Sequence, residues 1–218
     1  MQAIRTSIAA LVATAGLSCA QTISVDQLLH RVPASARREY SAAGKALGTG
    51  DLLQSIAHCR RAIEADPDNA SAHNDLGVLY LSDGRPEEAM PEFNRAVALQ
   101  PRLTVALVNA SFAALALGRY QDAERFARSA LDTNRSHRHA HLLLGWSLVA
   151  QHEYSGEALE SLRIAEREFP EAHLAAADVL VHQGSLDAAR AQVEAYLASG
   201  STEHKSLAET WLQFLTLR

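Results

Sequence analysis

The chain has 218 residues, of which 48% are hydrophobic, 6% aromatic and 21% charged, and its formal net charge is -5. This apolar content excludes wholesale disorder, and the acidic balance excludes a strongly basic nucleic-acid binder, which needs clustered Lys and Arg against phosphate. Two cysteines exclude a disulfide scaffold and a Cys-rich zinc module.

Residues 1–20 read as an export signal rather than as part of the fold. Arg5 supplies the positive start, Ile8 to Leu17 an apolar run, and Ser18-Cys19-Ala20 small residues where a signal peptidase reads. The run is about ten residues, against about 20 needed to cross a bilayer. Cleavage is expected after Ala20, giving an exported chain, periplasmic or secreted, with no integral membrane segment. The rival route is lipid attachment at Cys19. It fits less well, because Gly16-Leu17-Ser18 resembles a bacterial lipoprotein signal with its Leu one place late. Cys59 then remains alone on an apolar helix face, where a buried, inert thiol is expected.

Residues 21–35 form a lead-in. Ser24-Val25-Asp26-Gln27 can start a short helix through Leu29, and Pro33 interrupts it. From there the sequence repeats every 34 residues. Gly50, Gly84 and Gly118 keep that step, as do Ala43, Gly77, Ser111 and Gly145, then Ala62, Ala96 and Ala130, then Ser55, Ala89 and Ala123. A fixed period of this length is the signature of a stacked array. Each unit reads as two helices. In the clearest one, Asn69 caps the first helix, Leu76, Leu79 and Tyr80 give its apolar spacing, and Gly84 ends it. Pro86 opens the second helix, Ala89, Phe93, Ala96 and Val97 line its inner face, and Pro101 marks the exit.

Leu76-Gly77-Val78-Leu79-Tyr80, Ala89-Met90-Pro91-Glu92-Phe93, Ala96 and Pro101 resemble the tetratricopeptide repeat, with His73 in place of its Trp. The resemblance implies an all-α fold: a right-handed α-solenoid of about five helix–turn–helix repeats. The expected units are 36–69, 70–103, 104–137, 138–169 and 170–203, making an array over 36–203. Residues 204–218 form a capping helix carrying Leu207, Trp211, Phe214 and Leu215, because a solenoid must cover its last open face. The fourth unit departs from the pattern: His152 stands where the turn Gly is expected, and Tyr154 is read as beginning the second helix.

In this family the first helices line a concave surface. The positions expected there include Tyr40, Asn74, Val78, Val108, Asn109, Phe112, Leu142 and Trp146, with Gly44, Leu174 and Asp178. Val78, Phe112 and Trp146 recur at 34-residue steps as an apolar ladder. The alternatives are that Phe112 and Trp146 anchor an apolar peptide, or that neighbouring helices bury them. Some members grip a C-terminal carboxylate with a cationic cluster. Here the matching positions hold Tyr40, Gly44, Asp75, Val105 and Asn109, none of them cationic, and Asp75 would repel a carboxylate.

His137-Arg138-His139-Ala140-His141 is the best metal candidate, with His137 and His141 one helical turn apart. It lacks a Glu in the H-E-x-x-H manner and an evident third ligand, and Arg135 and Arg138 would repel a cation. There is no GxSxG, P-loop or GxGxxG motif. The expectation is a non-catalytic scaffold without cofactor or metal that binds a protein or peptide partner and no nucleic acid. The alternative is a structural assembly subunit that forms a homo-oligomer through the groove or the terminal helix.

Overall fold

A computed structural model describes residues 32–216. The export signal, Cys19 and most of the 21–35 lead-in lie outside these residues. The described chain forms eleven helices. They are α1 (Ala34–Gly48), α2 (Leu52–Ala65), α3 (Ala70–Ser82), α4 (Pro86–Leu99), α5 (Thr104–Ala116), α6 (Tyr120–Thr133), α7 (Arg138–Ala150), α8 (Gly156–Ala165), α9 (Glu171–His182), α10 (Leu186–Ala198) and α11 (Lys205–Thr216).

Local chemistry sets the helix ends. Asp51 Oδ1 accepts from the Gln54 amide at 3.0 Å, and Asn69 Oδ1 accepts from that of Ala72 at 3.2 Å. Each bond satisfies a donor that has no partner inside its helix. Pro86 occupies the first turn of α4. The turns inside units 1, 2, 3 and 5 use Gly50, Gly84, Gly118 and Gly184 with φ of 79°, 71°, 71° and 78°. In the fourth unit His152 adopts the same left-handed backbone, φ 63°. There the second helix starts at Gly156 rather than Tyr154, because Ser155 caps it: its Oγ accepts from the Ala158 amide at 3.2 Å.

The helices pair in order, α1 with α2 through α9 with α10, and α11 packs on α10. Each second helix also packs on the first helix of the next unit. First helices touch one another, α3 on α5, α5 on α7 and α7 on α9, whereas second helices hardly meet. First helices crowded together and second helices splayed apart curve the array toward the first-helix side.

Small residues make the close approaches. Ala62, Ala89, Ala96, Ala123, Ala130, Ala158, Ala165 and Ala189 have no solvent exposure. A Cβ on Gly77 would stand 2.6 Å from Phe93 Cε1, and one on Gly145 would stand 2.5 Å from Leu162 Cγ. Two serines keep the small-residue register and add a bond across the pair. Ser55 Oγ donates to the Ala43 carbonyl at 3.1 Å, and Ser111 Oγ donates to that of Ala123 at 2.7 Å. Such bonds let a buried hydroxyl stand where Ala or Gly stands in other units. Cys59 is buried in the same interior.

The apolar interior falls into two clusters. The larger runs from Ala43 to Val179 and holds Leu76, Phe93, Leu107, Phe126, Trp146 and Leu162. The smaller holds Ala177, Leu180, Ala189, Val193, Tyr196, Ala208 and Leu215, with Trp211 against it. Helix α9 contributes Ala176 and Val179 to the first and Ala177 and Leu180 to the second. Helix α11 therefore covers the last pair, the role expected of residues 204–218.

Candidate functional site

The face of the first helices carries two kinds of surface. Val78 on α3 and Val108 and Phe112 on α5 are half-buried against the larger cluster. Beside them runs a polar chain. Asn109 Nδ2 donates to Asn74 Oδ1 at 2.9 Å, which ties α5 to α3. Asn74 Nδ2 in turn donates to Asp75 Oδ1 at 3.3 Å. Tyr40 on α1 has a hydroxyl that is buried without a hydrogen-bond partner.

Burial pushes the Asp75 carboxyl up to about 6, opposed only by the Asn74 amide. Burial raises the Tyr40 phenol as well, helped by the charges of Asp75, Cys59 and Asp66. A carboxyl shifted upward favours its neutral form, so the folded chain binds a proton there more readily than the unfolded chain. Asp75 thus withdraws stability as the pH rises from the ordinary carboxylate range through about 6.

The structure corrects part of the expected apolar ladder. Trp146 is only 2% exposed, Leu142 1% and Asn74 6%. Helix α7 lies in the middle of the array and packs against α5, α6, α8 and α9. Its residues 142–150 are all buried. Val78, Val108, Asn109, Phe112 and Tyr40 stay half-exposed on the face, and Asn74 acts from beneath it. Leu174 and Asp178 on α9 are half-exposed too.

The histidines of α7 do not converge. His137 is the N-cap, its Nδ1 accepting from the Ala140 amide at 3.4 Å. His139 meets Phe169 edge to face at 4.3 Å between ring centroids. His141 Nε2 lies 2.9 Å from the Arg135 carbonyl. Burial lowers the His137 and His139 pKa values, and the charge of Glu168 offsets it in part.

Other polar links come from pairs that the sequence reading did not single out. His58 Nδ1 lies 2.7 Å from Glu39 Oε2, His73 Nδ1 2.6 Å from Glu92 Oε2, and His173 Nδ1 2.6 Å from Gln192 Oε1. Each pair is 19 residues apart and pins the two helices of one unit. His73 stands where the family pattern has Trp, so here a polar pin does the work of an aromatic. The constant 19-residue spacing is a signal from which a search of the sequence could have found them.

A repeat-family model, the tetratricopeptide repeat, matches residues 40–103, 113–170 and 155–204, more than half of the chain. DnaJ homolog subfamily C member 3 of Mus musculus is 27% identical over 92 residues, 42% of this chain and 18% of that protein. The chain thus spans less than a fifth of that relative's length. Among solved structures, MamA shares 20% identity at a TM-score of 0.69, over 80% of this chain and 94% of its own. YrrB, described as having an unusual peptide-binding site, shares 17% identity at a TM-score of 0.66, over 75% of this chain and 85% of its own. At these identities the likeness shows the fold. Among the described residues no helix is long and apolar enough to cross a membrane.

Proposed function

Since the chain belongs to the tetratricopeptide-repeat family, whose fold is that of a protein-interaction scaffold, we propose that it holds an extended peptide segment of a partner along its first-helix face, without catalysis. The observation that carries this reading is the half-buried strip of Val78, Val108 and Phe112 beside the Asn109–Asn74–Asp75 chain. Apolar area on a preformed surface supplies affinity, and fixed polar groups beside it supply register. The peptide-binding site named for YrrB supports the same use of the fold. The signal-like pattern of Met1 to Ala20 supports a place of action in the cell envelope or outside the cell.

Peptides selected from a random display library on the full chain test this. Val108→Asp combined with Phe112→Ala should raise their Kd at least tenfold. Leu53→Asp, at an exposed site on α2, should not. Circular dichroism checks that both variants fold. Equal binding to the Val108→Asp/Phe112→Ala chain removes the groove from the function. A second reading, self-assembly through the terminal helix, draws on Phe214, which is 48% exposed on α11. A concentration-independent dimer by light scattering, lost in Phe214→Asp, is the outcome that selects it.

A further inference from the structure

We propose that the outer face of α1, at the N-terminal end of the stack, is a docking surface for an anionic lipid bilayer. The groove plays no part in it.

The place of this face in the stack comes first. Arg38 and Lys45 keep the 34-residue register with Ala72 and Leu79 on α3, Ala106 and Ala113 on α5, and Ala140 and Ser147 on α7. All of those later residues are buried, and α2, α4 and α6 pack on the helices that carry them. Among the described residues no helix precedes α1, and Arg38 and Lys45 stand exposed. A terminal unit needs a polar outer face to stay soluble. Solubility asks for charge of either sign, so the sign found here needs a further reason.

The sign is uniformly positive in a chain whose net charge is -5. Arg37, Arg38 and Lys45 are exposed, and none has an ion-pair partner among the described residues. Glu39, the one acid of α1, turns to α2, 2.9 Å from Arg61 and 2.7 Å from His58. Elsewhere arginines sit against acids, as Arg95 does with Asp68, Arg128 with Glu157 and Arg138 with Glu168. At the far end of the stack, on α11, Lys205 and Glu209 lie 4.0 Å apart and offset each other.

The shape of the face selects the partner. Ser41, Gly44 and Gly48 are exposed between the cations, with open space at the Cβ positions of both glycines. Three long basic side chains on a floor of small residues can reach one flat plane of phosphates, with their stems laid along the surface. A protein partner would want a large apolar anchor, and the exposed large apolar side chains, Leu53, Val105 and Phe214, all lie on other helices.

The sequence also brings the chain to this face from an apolar run. Residues 21–32 separate Ala20 from Pro33, a length that covers no more than about 40 Å even when fully extended. A bilayer that takes up Ile8 to Leu17 therefore keeps the α1 face within reach of its headgroups.

Flotation of the full chain tests this, with vesicles of phosphatidylcholine alone or with a third of the lipid replaced by phosphatidylglycerol. The apolar run adds to both partition coefficients, so their ratio reads the charge. The ratio should be about tenfold or more at low salt and approach one in half-molar salt. Arg37→Gln/Arg38→Gln/Lys45→Gln should lower it severalfold, while Arg37→Lys/Arg38→Lys should keep it. Arg102→Gln/Arg135→Gln/Arg167→Gln makes the same change of charge at exposed sites elsewhere and should leave the ratio as it is. All these side chains are exposed, and circular dichroism checks that each variant folds. A wild-type ratio near one, a ratio that survives loss of the three α1 cations, or an equal fall in both triple variants overturns the proposal. So does α1-dependent binding to polyglutamate or a DNA duplex by a chain that ignores the anionic vesicles.

Discussion

Gly145 offers the sharpest check on how the units are held together. An added Cβ would lie 2.5 Å from Leu162 Cγ and 2.6 Å from Leu162 Cδ2, with the Ala158 carbonyl oxygen 3.5 Å away. Ordinary carbon contacts are about 3.5–4.0 Å, so the overlap is near an ångström at a branch point rather than at a flexible tip. Leu162 has no solvent exposure and sits between Ala158 and Ala165, which are equally closed. It has nowhere to retreat. Replacing a mid-helix Gly with Ala gains about 0.5–1 kcal/mol of helix preference, while overpacking costs about 1–3 kcal/mol. Gly145→Ala should therefore lose about 1–2 kcal/mol, a drop in Tm of about 2–8 °C. Gly44, with nothing within 4 Å of its Cβ position, is the control: Gly44→Ala should gain about 0.5–1 kcal/mol. Urea unfolding followed by circular dichroism reads both. In Gly145→Ala/Leu162→Ala the new methyl enters the space that the leucine leaves. The loss should fall short of the summed single losses by about 1 kcal/mol or more. A Gly145→Ala chain as stable as wild type, or strict additivity in the double variant, refutes the packing argument.

Two further outcomes can be checked with the same equipment. His152 holds a left-handed backbone that costs a non-glycine residue about 1–2 kcal/mol. His152→Gly should raise stability by roughly 1 kcal/mol after losing the 3.1 Å contact to the Tyr154 hydroxyl; a lower urea midpoint would show that this contact outweighs the strain. His139 responds to pH. Burial holds its folded-state pKa below the unfolded value of about 6.5, so the unfolded chain binds more protons below that pH. Its contribution is complete above about 6.5 and lost as the pH falls toward the folded value. His139→Phe, set against Phe169, should lessen the fall in urea midpoint between pH 7.5 and 5.5; an unchanged fall places the sensitivity elsewhere.

Much of the architecture is legible in the residues because it depends on a period. Glycines and alanines at a fixed 34-residue step mark the turns and helix contacts, and Asn69, Pro86 and Gly84 act locally wherever they stand. Even the irregular fourth turn announces itself through His152. Burial across the array is different. Val78, Phe112 and Trp146 share a register, yet Trp146 is closed and the other two are half-open. Register fixes which way a side chain leaves its helix, and not how many helices stand around it. The start of α8 differs from the expected Tyr154 for a smaller reason: Ser155 caps the helix, and that local bond outranks the aromatic at Tyr154. The Asn109–Asn74 contact and the histidine pins join separate helices, so pattern along one helix says nothing of them.

The divided interior along α9 has a mechanical consequence. Tension on the C-terminal end loads Val193, Tyr196 and Leu215, whose cluster stops at one side of α9. Helix α10 and its cover α11 are thus placed to peel away as a single piece, with α9 and the longer stack behind it still shut. What peeling uncovers is Ala177 and Leu180, a fresh sticky edge of the sort on which another helix pair could be laid. Helix α9 is both a fracture line and the place where such a stack could be lengthened.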